Sequence, residues 1–362
     1  MKLEHRIGQL LMIGLPGPQL DLMTRSLLQS IQPGGILLNT HNIESAQQVV
    51  ELTSAIRSLI EVPPIIAVDQ EGGRVDRLKH IYSAMPSADL LRASGDASIA
   101  ARMGEIAAEA LRTLGFNVNF APVLDIASDD GAGNGLKGRY LGSSVAEVVR
   151  LAGAYLEGLQ HGGVIGVGKH FPGLAAATVD SHSELPTIDR SRDEIMKHEI
   201  APYSELFSKI NARLNAVIVA HAHYPAFDGP SPLPSSLSKN IVTGLLREEL
   251  SYKGLTMTDD LEMGAITATR DLSEAGVMAI EAGMDMVMIA GAQSSERVTA
   301  AWETMVKAAH DGRITRTHIS RAFDHIARIK SMLSPPQSHS EQAVSRLRER
   351  IAELNLILQH SK

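Results

Sequence analysis

The sequence predicts an α/β fold, a (β/α)8 TIM-type barrel with extra C-terminal helices, on three observations. Eight short apolar runs alternate with eight segments of helical spacing, which is the pattern of parallel βα units. The units recur about every 30 to 45 residues, a span that suits a barrel of roughly 250 residues or more. Ionisable residues also gather just after several apolar runs, at the end of the strands where a barrel carries its site. A doubly wound open sheet shares the alternation and is the alternative; the crowded strand ends favour the barrel.

Taken in order, the strand candidates are Leu10–Gly14, Gly35–Leu38, Ile65–Asp69, Asn117–Asp125, Val164–His170, Ala216–His223, Leu255–Asp260 and Met284–Ala290. Each is short, apolar and rich in β-branched residues, as buried parallel strands are. The helix candidates are Leu20–Ile31, Ser45–Ile60, Asp96–Leu114, Val145–His161, Arg192–Ile210, Lys239–Leu250, Leu272–Ala282 and Ser294–His310. A further helix is expected over Arg316–Met332. Ser334-Pro-Pro-Gln-Ser then reads as a linker. Over Glu341–Gln359 the spacing of Val344, Leu347, Ile351, Leu354, Ile357 and Leu358 predicts an amphipathic helix that docks on the barrel or joins two copies. The expected organisation is one catalytic barrel over residues 1–333, then a linker and helix over 334–362.

Bulk properties narrow the function. Hydrophobic residues make up 44% and charged residues 21% of the chain, the range of a soluble globular protein. A net charge of −7 without a basic face argues against a nucleic-acid partner. The absence of cysteine excludes disulfides, thiolate metal sites and a cysteine nucleophile. Glu4, His5 and Arg6 interrupt the N-terminal segment before any apolar run of signal-peptide length, and no run nears the roughly 20 residues of a spanning helix. A soluble, cytoplasmic protein without a membrane partner is expected, as a monomer or weak homo-oligomer.

Strand ends carry the chemistry. The fifth strand runs into Lys169, His170, a Pro-Gly corner, the small residues Leu174–Thr178 and then Asp180-Ser-His182. Small residues without a large anchor other than Leu174 suggest a lid over Gly173–Val179. After the third strand come Asp69, Glu71, two glycines, Arg74, Asp76 and Arg77, acids with basic partners beside backbone free to approach a ligand. The fourth ends at Asp125, followed by a Gly/Asp loop to Arg139. The sixth ends in His221 and His223, which strand alternation turns to one side. That spacing suits a metal, and with His170 and Asp259 it supports a metal-dependent amidohydrolase as a rival reading. The seventh ends Thr258-Asp259-Asp260-Leu261-Glu262; adjacent acids on a strand face opposite ways, so one of them reaches the site. A strand-end carboxylate facing a proton donor on the fifth-strand loop is the pair that glycosidic cleavage requires.

The strings DQEGGRVDR (69–77), NFAPVLD (119–125), KHFPG (169–173), DSH (180–182) and TDDLEM (258–263) resemble glycoside hydrolase family 3, and most closely its single-domain bacterial β-N-acetylglucosaminidases (β-N-acetylhexosaminidases) of peptidoglycan recycling. The resemblance runs from about Ile7 to Ala327, with the motifs in the family's order. It implies a barrel, a retaining mechanism, and neither metal nor organic cofactor. By motif, Asp259 resembles the catalytic nucleophile and His182 the general acid/base, with Asp180 as its partner. Asp69, Arg77, Arg139, Lys169 and His170 match sugar-binding positions. The implied substrate is a small carbohydrate, a GlcNAc-containing disaccharide or muropeptide. Leu174 and Ala175 stand where the family commonly has His-Gly, but the count from Lys169 to His182 is kept, so the dyad is expected to persist. The loop before Arg139 is one residue shorter than usual. The αβα second domain of the family's larger β-glucosidases is not expected. A phosphorylase, a β-glucosidase of other sugar specificity and a non-catalytic sugar binder are the nearer alternatives.

Overall fold

The computed structural model describes residues 1–127, 133–209, 213–291 and 295–360. Eight parallel strands close a barrel in chain order: β1 (Leu11–Gly14), β2 (Gly35–Leu37), β3 (Ile65–Val68), β4 (Val118–Asn119), β5 (Ile165–Phe171), β6 (Ala216–Val219), β7 (Leu255–Asp260) and β8 (Met286–Ile289). Ile13 of β1 sits opposite both Ile36 of β2 and Ile289 of β8, which closes the ring. The strands are almost wholly buried, so they read as continuous apolar runs rather than alternating ones.

All eight predicted βα units are present. The helices begin where short polar side chains accept an otherwise orphaned N–H: Asp21, Ser45, Asp96, Ser144 and Asp271 each cap the helix that follows. Two differ from expectation. The segment from Arg192 is a single turn to Glu194, a wider π-turn over Ile195–Glu199 and an α-helix over Ala201–Ser208. Pro202 offers no N–H to continue a regular ladder across that junction. The segment Asn240–Glu249 is likewise wound with i→i+5 bonds. The expected end at Ile210 and start at Ser294 lie outside the described residues.

Two strands leave the ladder earlier than predicted. β4 is a regular strand only over Val118–Asn119; around Pro122, which has no N–H to donate, it keeps to β5 through single bonds, Val167 N–H to the Ala121 carbonyl at 2.9 Å and Leu124 N–H to the Lys169 carbonyl at 2.7 Å. β6 ends at Val219; Ala220 N–H still bonds the Phe171 carbonyl at 2.8 Å, but from there the chain turns to 186–188 and 235–236. Among the described residues no helix is long and apolar enough to cross a membrane.

After β3 the chain makes a small hairpin, Gln70–Gly72 against Val75–Asp76. The helix Glu341–His360 lies along the outside of the barrel, with Val344, Leu347, Ile351, Leu354 and Leu358 buried against the helix Ala97–Thr113 and its neighbour Ala88–Ser94.

Candidate active site

A cavity of about 360 Å³ opens at the C-terminal ends of the strands. Its apolar floor includes Leu37 of β2, Phe120 after β4, Ile218 of β6 and Met288 of β8. Eight residues singled out from the sequence line it: Asp69, Arg77, Arg139, Lys169, His170, Asp180, His182 and Asp259. Segments spread over nearly two hundred residues thus meet in one place because each follows its own strand.

One wall is a buried ionic frame. Lys169 Nζ lies 2.5 Å from Asp69 Oδ1 and 2.6 Å from Glu71 Oε1. Arg139 grips Glu71 with two parallel bonds of 2.8 Å each. Burial alone would raise the Glu71 carboxyl, but the charges of Lys169 and Arg139 outweigh it and hold it at about 2. Burial likewise opposes the Lys169 charge, and Asp69 and Glu71 more than restore it. Beside this frame His170 Nδ1 bonds Asp125 Oδ2 at 2.7 Å, while its Nε2 lies 3.4 Å from Arg139. The other Asp125 oxygen accepts Leu174 N–H at 2.6 Å.

The opposite wall is open. His182 Nδ1 bonds Asp180 Oδ1 at 2.7 Å, and the same oxygen accepts the His182 N–H at 2.9 Å. The ring is 72% exposed and the Asp180 side chain 36%. With Nδ1 committed to Asp180, Nε2 is the ring atom free for proton exchange. Burial raises the Asp180 carboxyl, but its bonds to His182 leave it below the ordinary carboxylate range.

Asp259 and Asp260 separate these walls, and their environments drive them apart. Burial would raise Asp259, yet the imidazoles of His170 and His221, the Asp260 N–H and the His182 ring together hold it below its usual value. Burial pushes Asp260 up to about 7, and its Oδ1 is occupied by the Glu262 and Ala290 N–H groups. Strand alternation predicted that one acid reaches the site; both line the cavity, because the register between β7 and β8 shifts across Met286 and Met288. Among the described residues Asp259 Oδ1 accepts the neighbouring Asp260 N–H, whereas Asp260 Oδ1 is held by two backbone N–H groups.

His221 and His223 do not act together. Beyond Val219 the chain is no longer a strand, so the alternation argument does not reach them. His221 contacts Ser236 Oγ and the Asp260 carbonyl, whereas His223 accepts Leu233 N–H. Among the described residues no group of three or more His, Asp or Glu side chains is placed to hold a metal.

Two residues of this site, Glu71 and Asp125, were given no role from the sequence. Both stand in strings that the sequence singles out, and the signal was physical: Lys169 and Arg139 need a buried countercharge, and Glu71 follows Asp69 at the spacing of one strand face. The predicted lid also divides. Leu174, Ala175 and Ala177 are buried, and only Thr178 onward turns to solvent. Leu174 contributes its backbone N–H to Asp125 and its side chain to the core. Residues 128–132 of the Gly/Asp loop before Arg139 lie outside the described residues.

Known proteins resemble the chain along nearly its whole length. Residues 2–329 match the family described as the glycosyl hydrolase family 3 N terminal domain. A β-hexosaminidase of Nitrosomonas eutropha is 31% identical over 353 residues, 96% of this chain and 97% of that protein. One of Alkalilimnicola ehrlichii is 36% identical over 285 residues, 77% of this chain and 80% of its own. Among solved structures, a glycoside hydrolase family 3 β-N-acetylglucosaminidase from a Paenibacillus species aligns with a TM-score of 0.89 and 34% identity, over 98% of this chain and 69% of that one.

Proposed function

The chain belongs to glycosyl hydrolase family 3 and is a glycoside hydrolase, and from that premise we propose that it is a retaining β-N-acetylhexosaminidase. It removes terminal β-linked N-acetylglucosamine from cell-wall fragments such as GlcNAc–anhydro-MurNAc muropeptides, in the cytoplasm. The observation that carries this reading is the placement of an ionised Asp259 and the Asp180–His182 pair around one cavity whose far wall is a fixed ionic frame.

In the first step Asp259 attacks the anomeric carbon while His182 gives the proton on Nε2 to the departing oxygen. Asp180 holds Nδ1 and stabilises the imidazolium before transfer. In the second step the neutral ring takes a proton from water as that water displaces Asp259. Histidine suits both roles, since its ordinary pKa of about 6.5 lies near neutral pH. Asp69, Arg77, Lys169, His170 and Arg139 meet the sugar. Asp69, Lys169, His170 and Arg139 are already paired with one another or with Glu71 and Asp125, so little reorganisation is needed when hydroxyl groups arrive, while Arg77 Nε is buried without a partner among the described residues. Likeness to enzymes named β-hexosaminidase and β-N-acetylglucosaminidase supports the choice of sugar.

A panel of nitrophenyl β-glycosides tests this reading. Turnover of the N-acetylglucosaminide should far exceed that of the glucoside and xyloside and should be indifferent to EDTA. An equal or better glucosidase activity, or loss of activity on chelation, overturns it.

A further inference from the structure

The helix Glu341–His360 touches the barrel in two chemically different ways. Arg346 and Arg350 pair with Glu109, and Glu353 with Arg102, both partners lying on the helix Ala97–Thr113. Those are ion pairs at the partly exposed rim, of the kind that contribute little. Arg348 and Asn355 do something else. Arg348 donates from Nε and Nη2 to the Ile81 carbonyl, at 2.9 and 2.7 Å, and Asn355 donates to the Ala84 carbonyl at 2.9 Å. Both side chains reach past the apolar seam to the backbone of one loop, residues 81–86.

That loop is what the sugar-side hairpin rests on. Met85 N–H bonds Asp76 Oδ2 at 2.7 Å, and Gly73 N–H bonds the Met85 carbonyl at 3.0 Å. The contact is tight as well as polar: a Cβ on Gly72 would sit 2.2 Å from the Pro86 carbonyl oxygen, and one on Gly73 would sit 2.6 Å from Ser87 Cβ. Asp76 Oδ1 in turn accepts Gln70 Nε2 at 2.7 Å, and Gln70 Oε1 accepts the Arg77 N–H at 3.0 Å. Glu71, Arg74 and Arg77, all carried by this hairpin, line the cavity.

We propose that the C-terminal helix is a positioning element of the sugar site: through Arg348 and Asn355 it fixes loop 81–86, and through that loop the hairpin that holds Glu71 and Arg77 against the substrate. This rests on the sugar-binding role given above to Arg77. The helix itself touches no reacting atom, so its effect falls on binding rather than on the chemical step.

The test compares Arg348→Ala with Arg346→Ala, which removes a cation from the same helix without touching the loop. Arg348→Ala should raise KM for nitrophenyl β-N-acetylglucosaminide about 3- to 10-fold and leave kcat within about 2-fold. Amide exchange should quicken in 70–77 and 81–86 but not at the strands β5 and β7. Asn355→Ala should act in the same direction from the Ala84 side, and it carries the test if Arg348→Ala does not fold. Arg346→Ala should match the wild type in both readouts. Equal KM and equal exchange for the 348 and 346 variants, or a lower Tm with neither changed, overturns the proposal. Wild-type protein inert on the aryl glycoside would instead sink the functional reading, and the exchange data would still decide the helix.

Discussion

The two ends of this barrel are built from the same groups. At the mouth, buried Asp125 binds His170 with Arg139 alongside; at the base, buried Asp285 binds Arg247 at 2.5 Å, Thr256 N–H at 2.9 Å and His325 at 3.0 Å. In each, both carboxylate oxygens are taken and a histidine completes the set. What differs is the far side of the histidine. His170 Nε2 turns to Arg139 and a cavity, whereas His325 belongs to the helix Arg316–Ser331 packed outside the strands. A buried Asp–His–Arg cluster is therefore no mark of function by itself. Its place at the C-terminal strand ends, with one side left open, is what makes it so.

Substitutions sharpen this contrast. The largest effect is expected at the mouth from Asp259→Ala, which should lower turnover by at least ~10⁴-fold without unfolding the barrel. A fluorinated glycosyl trap should label the peptide at Asp259; a label on Asp260 or Glu262 would reassign the nucleophile.

His182→Ala comes next and depends on the leaving group. Disaccharide cleavage should fall by about 10²–10⁴-fold, the usual range of general acid/base help, while glycosyl-enzyme formation from a nitrophenyl sugar falls far less. Asp180→Ala should follow the same pattern to a smaller extent. If His170→Ala shows the leaving-group dependence and His182→Ala does not, the proton donor is His170.

At the base the outcome reverses. Asp285→Ala strands Arg247 and His325 and should cost about 3–5 kcal/mol in urea unfolding, with kcat/KM of the folded protein unchanged. A specific loss of activity there would dissolve the distinction between the two ends.

A smaller effect separates two acids near the mouth by pH. Glu199 lies beneath Gly173 with its Oε2 unpartnered, and burial pushes its carboxyl up to about 7. The unfolded chain releases this proton near the ordinary value, so stability is lost as pH rises through 7, by at most about 3 kcal/mol. Glu71, held at about 2, has the opposite sign: it stabilises above the ordinary carboxylate range and that stability is lost as pH falls toward 2. Thermal denaturation of Glu199→Gln between pH 5 and 8 should show a shallower decline than the wild type; an unchanged slope would mean that Glu199 is ionised throughout.

Much of this site is legible in the chain alone, for a reason the barrel supplies. Each functional segment follows an apolar run, so locating β3, β5 and β7 also locates Asp69, Lys169 and Asp259. The misreadings arose where the backbone leaves the ladder. His221 and His223 lost their common face once β6 stopped at Val219, and Asp259 and Asp260 share the cavity because of a register shift that no periodicity encodes. Glu71 and Asp125 stayed without a role because their importance lies in which cations surround them after folding. The role of Arg348 is less visible still, since its partner is a carbonyl and a carbonyl has no residue identity to read.

The segment carrying His182 is joined to the one following Asp259: Gly264 N–H binds the His182 carbonyl at 3.0 Å and Ala265 N–H binds that of Ser181 at 3.1 Å. Gly264 has no room for a side chain, since a Cβ there would sit 2.2 Å from the Ser183 carbonyl oxygen. For anyone exchanging loops between related barrels, this seam sets the cut sites. Residues 180–183 transplant only together with 264–265, as one part with two pieces of chain.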